Sequence, residues 1–142
     1  MEKVKVFVSF DFDNDKHYKF LLEAWNANAD FNFTFADKTP DEINSDNIGR
    51  IKAALSQRIN EANYTLVVIG KYANKEHPDS ELIGEINWIN WEIKKSIELG
   101  NKLVAVKIDK NYDSPEAIFG VDASWAMSFT QDAIIKAIKA AK

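Results

Sequence analysis

The chain has no cysteine, which excludes a disulfide framework, a thiolate nucleophile and a cysteine-ligated zinc site. Histidine is nearly as scarce. His17 and His77 are the only two, so a zinc site would need carboxylates to complete it, and no metal site is expected. Long apolar runs are missing as well. The longest, residues 65–69, is far short of the roughly 20 residues that a membrane-spanning helix needs. No basic and apolar leader opens the chain, because residues 4–10 begin by alternating and lead into acid. Basic charge is not in surplus either: 18 Lys and Arg face 22 Asp and Glu, a net charge of −4. With no Lys/Arg stripe, duplex nucleic acid is not an expected partner. GxGxxG, the P-loop and a Ser/His/Asp arrangement are all absent. These absences leave a soluble, cytoplasmic protein with neither membrane nor nucleic acid among its partners as the expectation.

At 142 residues, the chain is read as a single domain, 1–142, long enough to bury about two-thirds of its unfolded surface without staples. Residues 3–10 are β-branched and aromatic, a first strand. Asp13 and Asp15 then suit the N-cap of a helix that carries Tyr18, Leu21, Leu22 and Trp25 inward and ends near Asn26. In residues 31–35 the three Phe alternate, a second strand. Residues 36–44, with Pro40 and two acids in a row, read as a loop longer than usual and so as a functional lid. Ile48, Ile51, Leu55 and Ile59 mark the next helix. Residues 64–69 form the most apolar stretch, a strand covered on both faces. Residues 71–86 hold a turn at His77 to Ser80 and either a helical lead or a packed loop. Residues 87–99 are a helix stopped by Gly100, residues 102–108 a fourth strand and residues 124–129 a weak fifth. A short helical turn is expected at 116–119, and Thr130 caps a last helix. The alternation of strand and helix predicts an α/β, flavodoxin-like, doubly wound sheet of five parallel strands, order 2-1-3-4-5, with helices on both faces.

In such a sheet the ligand crevice lies at the carboxyl ends of the strands, where the winding reverses. Ser9 to Asp13 and Gly70 to Tyr72 would line it. A receiver domain would need a phosphate-accepting Asp after the third strand, where the chain has Gly70 and Lys71 instead. A flavin phosphate would be repelled by the acidic loop Asp11, Asp13 and Asp15. What remains is the helix Asn87-Trp88-Ile89-Asn90-Trp91-Glu92-Ile93. Ile86, Ile89, Ile93 and Ile97 make its apolar stripe, while Trp88 and Glu92 stand one turn apart just beside it. Either Glu92 is a boundary carboxylate with a solvated head, or it works in the crevice, partly desolvated at its rim. A single carboxylate can stabilise an oxocarbenium-like ribosyl cation as a good leaving group such as nicotinamide departs.

Val6-Phe7-Val8-Ser9-Phe10, the loop after Phe35, Leu66-Val67-Val68-Ile69-Gly70 and Trp88 to Ile93 followed by Gly100-Asn101-Lys102 resemble a TIR domain. Val8 to Asp15 together with Asn87 to Ile93 resemble, more closely, the bacterial TIR-like family that includes the NAD-consuming subunit of Thoeris anti-phage systems. The resemblance implies cleavage of NAD as substrate, with no cofactor, and cyclisation of the ADP-ribose into a signalling nucleotide read by an effector protein. It makes Glu92 the catalytic glutamate and Trp88 the tryptophan one turn before it. Ser9, Phe10 and Asp11 fall on the loop that lines the NAD pocket, and Lys38 on the loop (38–47) that gates it. The chain departs from many TIR domains in its acids after the first strand and its longer insert, residues 71–86. The rival reading is an adaptor or scaffold that self-associates and does no chemistry, which has no need of a carboxylate beside Trp88.

Overall fold

The computed structural model describes residues 4–25, 31–34 and 48–141, so the expected lid at 36–44, and Lys38 with it, lies outside the described residues. Apolar runs become strands β1 (Val4–Ser9), β2 (Phe31–Thr34), β3 (Tyr64–Ile69), β4 (Lys102–Lys107) and β5 (Ala123–Ala126). Between them run helices α1 (Phe12–Trp25), α2 (Ile48–Glu61), α3 (Ser80–Ile83) and α4 (Trp88–Glu98), and α5 (Gln131–Ala140) follows β5. Every strand pairing is parallel, and the strands lie side by side as β2-β1-β3-β4-β5. This is the expected α/β architecture with a parallel sheet.

The period of two in each strand divides the core. Val6, Val8, Leu66, Val68, Val104 and Val106 face Leu22 of α1 and Ile134 and Ile138 of α5. Their neighbours face the other way. Val67, Ile69, Leu103 and Ala105 pack on Ile89 and Ile93 of α4, and Phe7 packs on Ile51, Leu55 and Ile59 of α2 and on Trp88. Ser9, next but one after Phe7, is therefore turned to the α4 side.

Three local outcomes differ from the sequence expectation. First, α1 begins at Phe12, with the Asp11 carbonyl accepting from the Asp15 N–H at 2.7 Å. Asp11 thus holds the cap position and Asp15 is wound into the first turn. Three acids at alternate positions all have cap chemistry, and packing against the sheet decides among them. Second, the buried face of α4 is rotated. Ile97 is 43% exposed, whereas Trp88, Glu92 and Ser96 are buried, because polar partners on the sheet draw that row inward. Third, β5 ends at Ala126, three residues before the expected end.

The insert 71–86 folds as turns and the short α3, which Gly84 closes at a φ of 85°. It is pinned to α4 by Asn87, whose Nδ2 donates to the carbonyls of Ala73 (2.8 Å) and Lys75 (3.0 Å). At the other end of α4, Gly100 takes a φ of 82°. There the N–H groups of Gly100 and Asn101 donate to Ile97 and Ser96, the paired bonds of a left-handed helix stop. Among the described residues no helix is long and apolar enough to cross a membrane.

Candidate functional site

β1 and β3 lie side by side with Ser9 in register with Val67, so the carboxyl ends of both strands open on the same edge of the sheet. Ser9 is the last residue of β1 and is fully buried. Its Oγ donates to Oε1 of Glu92 at 2.7 Å. This bond ties α4 to the end of β1. Glu92 is only 6% exposed, so the carboxyl lies inside the protein rather than at the rim where spacing put it. Burial pushes it up to about 8, and the Ser9 hydroxyl pulls the other way.

The helix that carries Glu92 is held from below by a chain of buried hydroxyls. Ser96 Oγ donates to the Glu92 carbonyl at 2.8 Å and shares a 2.7 Å hydrogen bond with Thr65 of β3. Asn101 Nδ2 donates to Thr65 Oγ1 at 3.2 Å and to the Ile59 carbonyl at 2.9 Å. From above, Asn87 caps the helix: its Oδ1 accepts from the N–H of Asn90 at 3.0 Å. Asn90 Oδ1 accepts from Ala117 N–H at 2.8 Å, which fastens the 3-10 turn Glu116–Ile118 to the same helix. None of these five polar residues was singled out by sequence spacing as a support for Glu92. Polar residues recurring four apart just beside the apolar stripe, Glu92 and Ser96, were the available signal.

The other expected site residues divide between the two sides of the sheet. Trp88 is buried among Phe7, Ile51, Leu55, Ile59 and Ile83, edge-on to Trp91 at 5.7 Å. Phe10 packs against the opposite cluster, under α1 and α5. It does not share the Ser9 and Glu92 side. Asp11 accepts from Asn14 Nδ2 at 2.7 Å. Lys71 is exposed, its Nζ 5.6 Å from the centre of the Tyr72 ring.

Gly70, directly after β3, is buried, and a Cβ there would collide with the carboxyl of Asp15. Asp15 is 8% exposed, and among the described residues its Oδ2 is the buried side-chain polar atom without a hydrogen-bond partner. Burial first, then the neighbouring Asp11, push it up to about 6, with His17 opposing. No group of three or more metal-ligating side chains is present among the described residues. The arrangement is thus two buried carboxyls at one end of a parallel sheet, suited to meeting hydroxyls and positive charge and unsuited to holding phosphate.

A family model described as "Thoeris protein ThsB, TIR-like domain" matches residues 7–113. No curated protein matches the chain in sequence. Among solved structures, a 2-deoxyribosyltransferase from the psychrotolerant bacterium Bacillus psychrosaccharolyticus superposes with a TM-score of 0.57 at 13% identity, over 89% of this chain and 88% of that one. A prokaryotic SEFIR domain gives a TM-score of 0.52 at 14% identity, over 96% and 94%. The TIR domains of the activated Roq1 resistosome match more loosely, with a TM-score of 0.46 at 22% identity over 74% and 57%. For the first two of these, at 13% and 14% identity, the likeness is one of fold.

Proposed function

The chain belongs to the TIR-like domain family of the Thoeris protein ThsB, and from that premise we propose that it cleaves the nicotinamide–ribose bond of NAD in anti-phage defence signalling. NAD is the substrate and no cofactor is needed. The observation that supports the reading most is the buried hydrogen bond from Ser9 to Glu92 at the carboxyl end of β1. Glu92 stabilises the positive charge that develops on the ribose as the C1′–N bond breaks and its electron pair leaves with nicotinamide. Water, or a nucleophilic atom of the same ADP-ribose, then closes on C1′ and gives the hydrolysed or cyclised product. The cyclised product is the messenger for an effector protein, and the enzyme is cytoplasmic and assembles with copies of itself.

Ser9 keeps Oε1 in one place through this sequence. With Glu92 raised to about 8, the free protein holds the carboxyl mostly neutral at pH 7. A cationic nicotinamide ring beside it favours ionisation, so the charge is present when the substrate is. Asp11, Gly70 and Lys71 fall at the same sheet end, and Trp88 stands one turn before Glu92. Lys38 joins the proposed pocket as the resemblance has it, and Phe10, packed on the opposite side of the sheet, does not line it. The reading goes with the flavodoxin-like, doubly wound form of the fold, five strands in the order 2-1-3-4-5.

The test compares nicotinamide release from NAD by the wild type and by Glu92→Gln, with any activator the system requires. A loss of about 10²-fold or more is expected, because the variant keeps the shape and loses the charge. Equal turnover by the two proteins would overturn the assignment.

A further inference from the structure

The proposed cleavage uses Glu92 and leaves the second buried carboxyl, Asp15, without a task. Asp15 reaches from the first turn of α1 on to Gly70 at the end of β3, and Oδ2 has no partner there. Leaving a buried acceptor unpaired costs roughly 1–3 kcal/mol, so such an atom calls for a reason. Packing does not supply one, since an apolar side chain would fill the same place without that cost.

The surroundings narrow the ligand. Asp11 at the cap of α1, and His17 and Tyr18 within it, stand within electrostatic reach of Asp15, and Tyr112, from the connection after β4, reaches Tyr18 in turn. Phosphate is repelled by the two acids. A hydroxyl donor gains a charge-assisted bond to an ionised carboxylate, and a vicinal diol offers two such donors to one carboxyl. The absent side chain at Gly70 lets the carboxyl turn above the strand end.

We infer that Asp15, seated on the Gly70 floor at the carboxyl ends of β1 and β3, is the acceptor of a second subsite that binds the vicinal hydroxyls of a ribose. The inference rests on the NAD-cleavage reading for the identity of the nucleotide. Asp15 touches the ligand as a binding residue and takes no part in bond breaking.

Two measurements separate the subsite from the activity. Calorimetric titration with ADP-ribose is made on wild type and Asp15→Asn, and on wild type with ADP-ribose analogues lacking one hydroxyl of either ribose. Expected are about tenfold or more weaker binding by Asp15→Asn and by wild type with one deoxy analogue. Asp15→Asn should also no longer distinguish that analogue from ADP-ribose, which a merely structural role for Asp15 would not produce. The analogue series on the wild type decides the matter even where the variant folds poorly. Unchanged binding by Asp15→Asn, indifference of the wild type to every deoxy analogue, or no binding of ADP-ribose by the wild type would overturn the subsite. Nicotinamide release, followed in parallel, tells the two ideas apart. Release with Asp15-independent binding sinks the subsite alone, and Asp15-dependent binding without release sinks the cleavage reading alone.

Discussion

Glu92 and Asp15 hold their protons to higher pH than ordinary carboxyls, chiefly because burial disfavours the charged form. Each therefore binds more protons folded than unfolded, and each contributes stability that is present at low pH and lost as pH rises. For Glu92 the loss runs from its ordinary value of 4.5 to about 8. For Asp15 it runs from 3.8 to about 6. Over the Glu92 window the penalty at pH 7 is on the order of 3 kcal/mol. Glu92→Gln should then unfold at a higher temperature than the wild type at pH 8 and show little difference at pH 4.5, as thermal melts across that range will tell. A boundary glutamate, as spacing alone places it, would give no such gain. Loss of the gain at pH 8 would mean that Glu92 is ionised and paired in the folded protein. Gly70→Ala makes a complementary test of the Asp15 contact. Its new methyl group meets the Asp15 carboxyl, so a loss of roughly 1–3 kcal/mol is expected in denaturant unfolding.

The helix α4 is where element-level reasoning is sharpest, because it is fastened at both ends by polar side chains rather than by its apolar stripe alone. Asn87 at the cap satisfies two carbonyls of the preceding insert as well as the Asn90 N–H. Asn87→Ala should cost about 2 kcal/mol or more in denaturant unfolding. It should also raise amide exchange in the insert more than in β3. Beneath the helix, Ser96→Ala leaves the Thr65 hydroxyl one partner short, at about 1–2 kcal/mol. The helix itself and its Gly100 stop were legible from the apolar period and the glycine, while a working role for Glu92 came from the resemblance to TIR domains and not from its spacing. The orientation of the helix was not legible. A stripe of isoleucines spaced 3, 4 and 4 outweighs two polar residues in any reading by period. Only the sheet beneath, offering Ser9 and Thr65 as partners, shows why Glu92 and Ser96 turn in and Ile97 turns out. The start of α1 was missed for a similar reason, since Asp11, Asp13 and Asp15 are chemically equal as caps until Gly70 makes room for one of them.

At the scale of the whole molecule, the alternation of apolar runs with amphipathic helices was enough to give a parallel α/β sheet. Residues as similar as Val67 and Val68 lie on opposite faces of that sheet, as a period of two requires. The candidate site was legible in part: Glu92 and Ser9, 83 positions apart, meet in one hydrogen bond. That contact is set by the parallel crossover, which brings the end of β1 under α4. Asp15 was not legible as a site residue, because its burial depends on a glycine 55 positions away at the end of a neighbouring strand. The two carboxyls at one sheet end make the pH dependence of turnover the most direct measurement of all. The kcat/KM for nicotinamide release should rise with pH through about 8, the value to which burial pushes Glu92 in the free protein. In Ser9→Ala the rise should move to higher pH, since the hydroxyl that favours the ionised form is gone. A kcat/KM that stays flat between pH 6 and 9 in the wild type, or an unmoved profile in Ser9→Ala, would contradict a catalytic role for the buried Glu92.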